Sequence, residues 1–207
     1  MRFFLAFIAS ITPAYLLGSV NGAIIASKMI YRKDIRKYGS GNPGLTNFYR
    51  VFGKGGALLV VAIDVFKTIA PVLFGGWVFG KYFDMTFFGR AMSGFFVMLG
   101  HCFPVYYKFK GGKGIMAAGA IMFVLDWRMA LISWGTFIIV TAITRYVSLG
   151  SIIGGSLFPV SLILLELGGF WEFTAMLLCS ILILVRHEGN IRRLVRGEES
   201  KFRFRKD

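Results

Sequence analysis

Residues 39–50, GSGNPGLTNFYR, combine three glycines with many hydrogen-bond donors and no acidic side chain. Closely spaced glycines let backbone N–H groups converge on an anion, and hydroxyl and amide side chains add neutral donors. The candidate donors are Ser40, Gly41, Asn42, Thr46 and Asn47, together with the bidentate guanidinium of Arg50. This glycine loop predicts a site for an anionic ligand; an ordinary inter-helix loop, whose glycines only form turns, is the alternative.

Residues 39–44 also fit the GxGxxG pattern of dinucleotide-binding domains. That fold needs a buried strand before the glycines, a helix after them and an acidic residue about twenty positions later. Asp64 stands at that distance from Gly44, but it lies inside an apolar run of membrane length. The upstream segment MIYRKDIRKYG is no buried strand, and Pro43 occupies the interior of the motif. The dinucleotide interpretation is therefore rejected.

A second glycine-rich segment, FKGGKG at 109–114, carries two lysines. Its candidate donors are the ammonium groups of Lys110 and Lys113 and the backbone amides of Gly111, Gly112 and Gly114, which are expected to be exposed. Such donors suit phosphate oxygens. The segment is not a P-loop, because Tyr107 and Gly114 stand where that motif has its first glycine and its Ser or Thr. The alternative for this lysine loop is a cationic anchor at the membrane surface.

The remaining ionisable residues in apolar surroundings have structural alternatives. Asp64 and Lys67 share one helix face, and their i,i+3 spacing predicts either a mutual ion pair or contact with a substrate. His101 and His187 stand at the ends of apolar runs, and neither begins an HxxxxD acyltransferase box. The two cysteines lie in apolar stretches and are expected to be free, and no zinc-binding spacing is present.

The elements that position these residues follow from the composition. The 207 residues are 56% apolar, with a mean hydropathy of +0.67 and 22 phenylalanines, and the polar residues are clustered. This pattern predicts an all-α integral membrane protein, a bundle of about seven transmembrane helices forming a single domain, 1–207. The predicted spans are 4–29, 56–80, 86–106, 113–125, 129–144, 148–167 and 171–186, of which the fourth and fifth are short.

The distribution of Lys and Arg predicts the orientation. If the N-terminus lies outside, 19 Lys and Arg residues lie on the inner side and four on the outer side. The inner ones lie in segments 28–54, 107–113 and 186–207 and at Arg145. The net charge of +14 then belongs to the cytoplasmic face, and nucleic acid is excluded as a partner because no soluble basic module is present. The cytoplasmic face is also predicted to carry both glycine-rich loops, the start of the sixth span with Ser148 and Ser151, and residues 187–201.

Taken together, these segments resemble the bacterial acyl-phosphate:glycerol-3-phosphate acyltransferase family (PlsY). The resemblance is carried by GSGNPGLTNFYR at 39–50, GHCFPVYYKFKGGKG at 100–114 and HEGNIRRLVRGEESK at 187–201, with shorter matches at 14–22, 64–67 and 145–151. It implies acyl transfer from acyl phosphate to the sn-1 hydroxyl of glycerol 3-phosphate, giving lysophosphatidic acid and phosphate. It also implies a multi-pass protein of the bacterial inner membrane, in contact with membrane lipid, with a cytoplasmic active site and no cofactor or metal.

The resemblance also implies roles for the candidate residues. The hypothesis places acyl phosphate on Ser40, Gly41, Asn42, Lys113 and Ser151, with Gly111, Gly112 and Ser148 as further substrate-binding residues. It places glycerol phosphate on Thr46, Asn47, Arg50, Lys110, His187 and Asn190, supported by Arg193. Asn47, Arg50, His101 and Lys113 are the expected catalytic residues. His101 orients the attacking hydroxyl or accepts its proton, and the substrate's own phosphate is the alternative base.

Two functions other than an enzyme are alternatives for this sequence. A transporter or channel for a phosphorylated solute would place polar residues through to the outer side, where only scattered charges such as Asp84, Asp126 and Glu172 occur. A structural membrane subunit does not account for four donor-rich segments on one face. The tail at 198–201 is predicted to be either a solvated end or a lid. The sequence does not indicate an oligomeric state.

Overall fold

The structure is a computed structural model that describes residues 1–201, and in this range it contains α-helices and short 3-10 turns but no β-strand. Its helices are α1 (Arg2–Gly18), α2 (Gly22–Tyr31), α3 (Leu45–Phe52), α4 (Ala57–Phe83), α5 (Thr86–Cys102), α6 (Ile115–Leu125), α7 (Trp127–Thr144), α8 (Val147–Gly155), α9 (Phe158–Leu164), α10 (Phe170–Arg186) and α11 (Glu188–Val195). The predicted all-α class is confirmed. The predicted inner segment 186–207 and domain 1–207 run past the described residues at positions 202–207.

Helix lengths support part of the predicted set of seven spans. Within residues 1–201, Arg2–Tyr31, Ala57–Phe83 and Trp127–Thr144 are long and apolar enough to cross a membrane. The pairs α8 with α9 and α10 with α11 are bent by 46° and 57°, and they raise the number to five if each pair is one span. The count of seven and the outward N-terminus remain predictions.

Several predicted spans differ in their bounds from the helices, and the sixth, 148–167, is the bent pair α8 and α9. The predicted span 86–106 ends as a helix at Cys102, because Pro104 lacks an N–H and disfavours helical geometry in the residue before it. The fourth span is an 11-residue helix, short as predicted. The fifth is longer than predicted: α7 begins at Trp127 and has 18 residues, with Asp126 capping it by accepting the Arg128 N–H at 2.8 Å.

The first predicted span is two helices that meet at a polar junction. Asn21 caps α2, its Oδ1 accepting the Ile24 N–H at 2.9 Å. The amide of the same side chain donates to the Pro43 carbonyl at 3.0 Å. Because Pro43 belongs to the glycine loop, this break in the helix fixes that loop beside the first membrane segment.

Small residues let the central helices approach closely. A Cβ on Gly18 of α1 would collide with the backbone of Val97 in α5, and a Cβ on Gly89 of α5 would collide with the backbone of Gly75 in α4. An apolar cluster that includes Ile24 and Phe48 packs α2 and α3 against α4. These contacts hold the segments on either side of the glycine loop in fixed positions.

Candidate active site

A cavity of about 420 Å³ collects most of the polar residues singled out from the sequence. Its walls come from the glycine loop, the lysine loop, the start of α8 and the segment that begins at His187, so the expectation that these four segments meet is confirmed. The predicted site residues in the walls are Ser40, Asn42, Thr46, Asn47, Arg50, His101, Lys113, Ser148, Ser151, His187, Asn190 and Arg193. Four predicted residues lie outside the lining: Gly41, Lys110, Gly111 and Gly112.

The other part of the cavity is apolar. Helices α6, α7 and α8 supply the side chains of Ile115, Met116, Trp134, Phe137 and Val147. The Trp134 side chain is 47% exposed, and neighbouring apolar side chains of α7 are exposed as well. Exposed apolar side chains on a membrane helix face lipid. The cavity therefore connects a donor-rich polar part with an apolar part, an arrangement that suits an amphiphilic ligand.

Asn47 braces the glycine loop. Its Oδ1 accepts the Ser40 N–H at 2.9 Å, and its amide donates to the Tyr38 carbonyl at 3.0 Å, so both ends of the side chain bind backbone. Gly39 has a φ of +60°, and a Cβ there would collide with the Asn47 side chain. One backbone amide of the loop already has a hydrogen-bond partner, because the Gly41 N–H donates to the Tyr38 carbonyl at 3.0 Å. Asn47 therefore fixes the shape of the loop, and it lines the cavity together with Ser40 and Asn42.

Thr46 and Arg50 come from one face of α3. They are four residues apart, which places them one turn from each other on the helix surface. The helix begins after Gly44 without a side-chain cap, so its first N–H groups have no side-chain partner. Gly44, Thr46 and Arg50 all line the cavity. This end of the cavity thus combines a helix N-terminus, a hydroxyl and a guanidinium, which together favour an anion.

Arg186, at the end of α10, fixes the lysine loop. Its guanidinium donates to the carbonyls of Gly111 and Gly112 at 2.8 and 3.0 Å. The Gly112 N–H donates to the His101 carbonyl at 3.1 Å. The expectation that the amides of this loop are exposed is wrong for Gly111, Gly112 and Gly114, which are buried because the loop packs between α5 and α10.

Lys113 alone of the two loop lysines reaches the cavity. Its Nζ donates to Asn190 Oδ1 at 2.6 Å, whereas Lys110 is exposed outside the lining. Burial lowers the pKa of Lys113 to about 8, an effect that Glu199 opposes and that the nearby guanidinium groups of Arg193 and Arg50 reinforce. The amino group is therefore a cation that is poorly compensated within the protein.

The tail residue Glu199 lies against the cavity rather than in open solvent. Its carboxylate accepts the Asn190 amide at 2.8 Å and Arg193 Nε at 2.7 Å. Burial raises the pKa of Glu199, but the hydrogen bonds from Arg193 and Asn190 outweigh it, and the net pKa is lowered. Glu199 and Ser200 both line the cavity, which agrees with the lid alternative for this part of the tail.

The predicted ion pair is confirmed: Lys67 Nζ lies 3.0 Å from Asp64 Oδ1, and Asp64 also lines the cavity. Lys67 Nζ also lies 2.9 Å from His101 Nδ1, a contact that sequence reasoning missed. Sequence reasoning also missed the role of Arg186, because in the sequence this residue is only one of many Lys and Arg residues predicted on the cytoplasmic side. The single available signal for Lys67 and His101 is that both are polar residues within apolar runs.

A family model described as Glycerol-3-phosphate acyltransferase matches residues 8–197, almost the whole chain. The chain belongs to the glycerol-3-phosphate acyltransferase family. Membership of this family makes it an integral membrane acyltransferase of phospholipid biosynthesis. The family resemblance drawn from the motifs is thus confirmed.

Relatives of known name and structure support the assignment. A glycerol-3-phosphate acyltransferase from Francisella philomiragia subsp. philomiragia is 38% identical over 188 residues, which cover 91% of this chain and 89% of the relative. The crystal structure of PlsY (YgiH), an integral membrane glycerol 3-phosphate acyltransferase in its glycerol 3-phosphate form, aligns with a TM-score of 0.82 at 32% identity, covering 95% of this chain and 96% of that one. Its lysophosphatidic acid form aligns with a TM-score of 0.79 at 31% identity, covering 95% of each chain.

The packing of the lysine loop yields a first prediction for this acyltransferase. A Cβ on Gly112 would collide with the His101 imidazole, so Gly112→Ala must displace the loop that carries Lys113. A displacement of about 1 Å at a catalytic group costs about 10²-fold in rate. We expect kcat/KM to fall about 100-fold, measured as acyl transfer by the purified variant. Gly135→Ala is the matched control, because a Cβ there meets no atom within 4 Å; similar activities of the two variants would contradict the prediction.

Proposed function

We propose that this chain transfers a fatty acyl group from acyl phosphate to the sn-1 hydroxyl of glycerol 3-phosphate, releasing 1-acylglycerol 3-phosphate (lysophosphatidic acid) and phosphate. The observation that carries this proposal is that a cationic, donor-rich part and an apolar part formed by α6, α7 and α8 share one cavity. Both substrates carry a phosphate, and the donor also carries a long alkyl chain. A cavity of this composition accommodates both phosphates and the alkyl chain.

In this proposal the acyl phosphate group lies near Lys113, with Ser40, Asn42 and Ser151 as neutral donors. The glycerol phosphate lies at the start of α3, near Arg50 and Thr46. The remaining contacts to glycerol phosphate come from His187 and Asn190, with support from Arg193. Asn47 keeps the glycine loop in shape, and the buried Gly111 and Gly112 set the position of Lys113.

The proposed reaction is a direct transfer. Acyl phosphate is a mixed anhydride and is already activated, so the protein needs only to orient the hydroxyl and stabilise charge. The hydroxyl oxygen bonds to the acyl carbonyl carbon, and the bond from that carbon to the phosphate oxygen breaks. Phosphate leaves with the electron pair, and the hydroxyl proton passes to a phosphate oxygen or to a ring nitrogen. Lys113 stabilises the negative charge on the departing phosphate.

The proposal places the active site at the cytoplasmic face of the bacterial inner membrane. Support comes from the excess of Lys and Arg in the segments that carry the cavity, since cytoplasmic loops are enriched in these residues. On this orientation the N-terminus faces outward. The polar substrates enter from the cytosol, and the acyl chain enters between α6 and α7 from the lipid.

The test is an assay of the purified protein with palmitoyl phosphate and glycerol 3-phosphate. We expect equal amounts of lysophosphatidic acid and inorganic phosphate, with the acyl group on the sn-1 oxygen. Palmitoyl-CoA in place of palmitoyl phosphate serves as the comparison donor, and it is expected to give no product. Product from palmitoyl-CoA alone would overturn the acyl-phosphate assignment, and phosphate release without acylated product would indicate a hydrolase.

A pH dependence follows from the lowered pKa of Lys113. Because this pKa is about 8, the group is charged below that pH and loses its proton as the pH rises through it, so binding of acyl phosphate weakens on the alkaline side. We expect the KM for acyl phosphate to rise about fivefold over one pH unit above that pKa, as for a single protonated group.

The control for this pH profile is Lys113→Arg, which keeps a positive charge at every pH used because the guanidinium does not deprotonate. Its KM is expected to be higher than that of the wild type but flat across the same interval. An equally steep rise in the arginine variant would assign the alkaline limb to another group and contradict the prediction.

A further inference from the structure

Each of the three N–H groups of the Lys67 ammonium has an acceptor in the protein interior. Its Nζ donates to the Val20 carbonyl, lies 3.0 Å from Asp64 Oδ1 and lies 2.9 Å from His101 Nδ1. Lys67, Asp64 and His101 are 3%, 1% and 5% exposed. An ammonium group has three N–H donors and no acceptor, so each of these contacts takes one donor. The nitrogen that His101 presents to Lys67 must therefore be an acceptor.

This contact fixes the tautomer of His101. A neutral imidazole has one N–H and one bare nitrogen, and with Nδ1 as the acceptor the proton is on Nε2. A second proton would place an imidazolium directly against the Lys67 ammonium in a buried position, which is costly. The Nε2 edge of the ring lies against Gly112 of the lysine loop. His101 is consequently a hydrogen-bond donor beside the loop that carries Lys113, and it has no free nitrogen for a proton.

His187 has the opposite arrangement. Its Nδ1 lies 2.8 Å from the Ile183 carbonyl, and a carbonyl only accepts, so the proton is on Nδ1. Nε2 is then the bare nitrogen, and the ring lines the cavity. A second proton on this buried ring would lie near the positive charges of Lys113 and Arg186, an effect that the carboxylate of Glu199 opposes.

We propose that Lys67 is a positioning residue that keeps His101 as a hydrogen-bond donor, so that His187 is the histidine that offers an acceptor nitrogen to the glycerol hydroxyl. This inference rests on the proposed function. His101 Nε2–H supports the departing phosphate together with Lys113, and His187 Nε2 orients the hydroxyl that attacks. Asp64 completes the arrangement by pairing with the Lys67 amine at 3.0 Å.

The tautomers are directly measurable because the sequence contains only two histidines. Protein labelled with ¹⁵N-histidine in detergent micelles gives two sets of ring resonances, assigned with His101→Gln and His187→Gln. We expect a protonated Nε2 in His101 and a protonated Nδ1 in His187. A protonated Nδ1 in His101, an imidazolium, or the same tautomer in both rings would overturn the proposal. This spectrum does not depend on the acyl donor, so it can fail or succeed independently of the proposed function.

The positioning role is tested with Lys67→Met. We expect His101 to lose its single tautomer and kcat to fall about 100-fold, as for the loss of one oriented donor, with little change in KM for glycerol 3-phosphate. The double variant Asp64→Asn with Lys67→Met leaves no uncompensated buried charge, so it provides a folded comparison if the single variant is unstable. Lys81→Met, near the far end of α4, is the control for removing a lysine from this helix. An unchanged tautomer and an unchanged kcat in the folded Lys67 variants would contradict the proposal.

Discussion

The Lys113→Met variant is expected to lose about 10³-fold in kcat/KM while it still inserts into the membrane, because removal of one donor from a preorganised anion site costs this much. Lys113 is the lysine of its loop that reaches the cavity, and Asn190 Oδ1 holds its Nζ at 2.6 Å. Methionine keeps the length and the apolar stem of the side chain. The loss is therefore assigned to the charge, and it is measured as lysophosphatidic acid formed per unit of purified protein.

Lys108→Asn is the matched control for this experiment. Lys108 belongs to the same cationic segment, but it is exposed and lies outside the cavity lining. Its φ is +54°, a left-handed conformation that asparagine tolerates better than most residues. We expect nearly normal turnover in this variant. Near-normal turnover in Lys113→Met would refute the phosphate contact, and a severe loss in Lys108→Asn would point to the overall charge of the segment instead.

The second large effect is expected for Arg186→Lys, which should lower kcat/KM about 100-fold. Arg186 bridges the carbonyls of Gly111 and Gly112 through two separate nitrogens, and it lies over the Phe103 ring at 5.4 Å. A lysine keeps the charge but lacks the planar fork that holds both carbonyls at once. The loop then loses its fixed position, and a misplacement of about 1 Å at Lys113 is enough for a loss of this size.

Arg192→Lys is the control for Arg186→Lys. Arg192 is exposed on α11 and pairs with Glu188, so the conservative exchange there costs less than about 1 kcal/mol. The informative comparison is kcat/KM, obtained from steady-state rates at several substrate concentrations, and the thermal midpoint of both variants. If Arg186→Lys retains full activity, the clamp on the lysine loop is unnecessary for catalysis and the account of this loop is wrong.

The sequence predicted the all-α class and the two glycine-rich loops because these depend on local patterns. It predicted the convergence of the polar segments from the distribution of Lys and Arg along the whole chain. Apolar runs set the helices, and the glycines with their neighbouring donors mark the loops. The i,i+3 spacing of Asp64 and Lys67 likewise predicted an ion pair that the structure contains. The helices, the loops and the ion pair are each encoded within a short stretch of sequence, so no knowledge of tertiary contacts is needed for them.

The sequence could not predict in the same way which residues of the site contact one another and which face the cavity. Asn47 appears in the sequence as one more donor, yet both ends of its side chain bind the backbone of its own loop. Arg186 contacts Gly112 from 74 positions along the chain, and Lys67 contacts His101 from 34 positions away. Such partners are set by how α4, α5 and α10 pack, which residue type and spacing do not record.

The most direct measurement of the central claim is the position of both phosphates in the folded protein. A crystal structure with glycerol 3-phosphate and a non-transferable palmitoyl phosphonate should show both phosphorus atoms inside the cavity, one within contact of Lys113 and the other within contact of Arg50, with the alkyl chain running between α6 and α7. Either phosphorus atom found outside this cavity, or the two found at opposite membrane faces, would contradict the account.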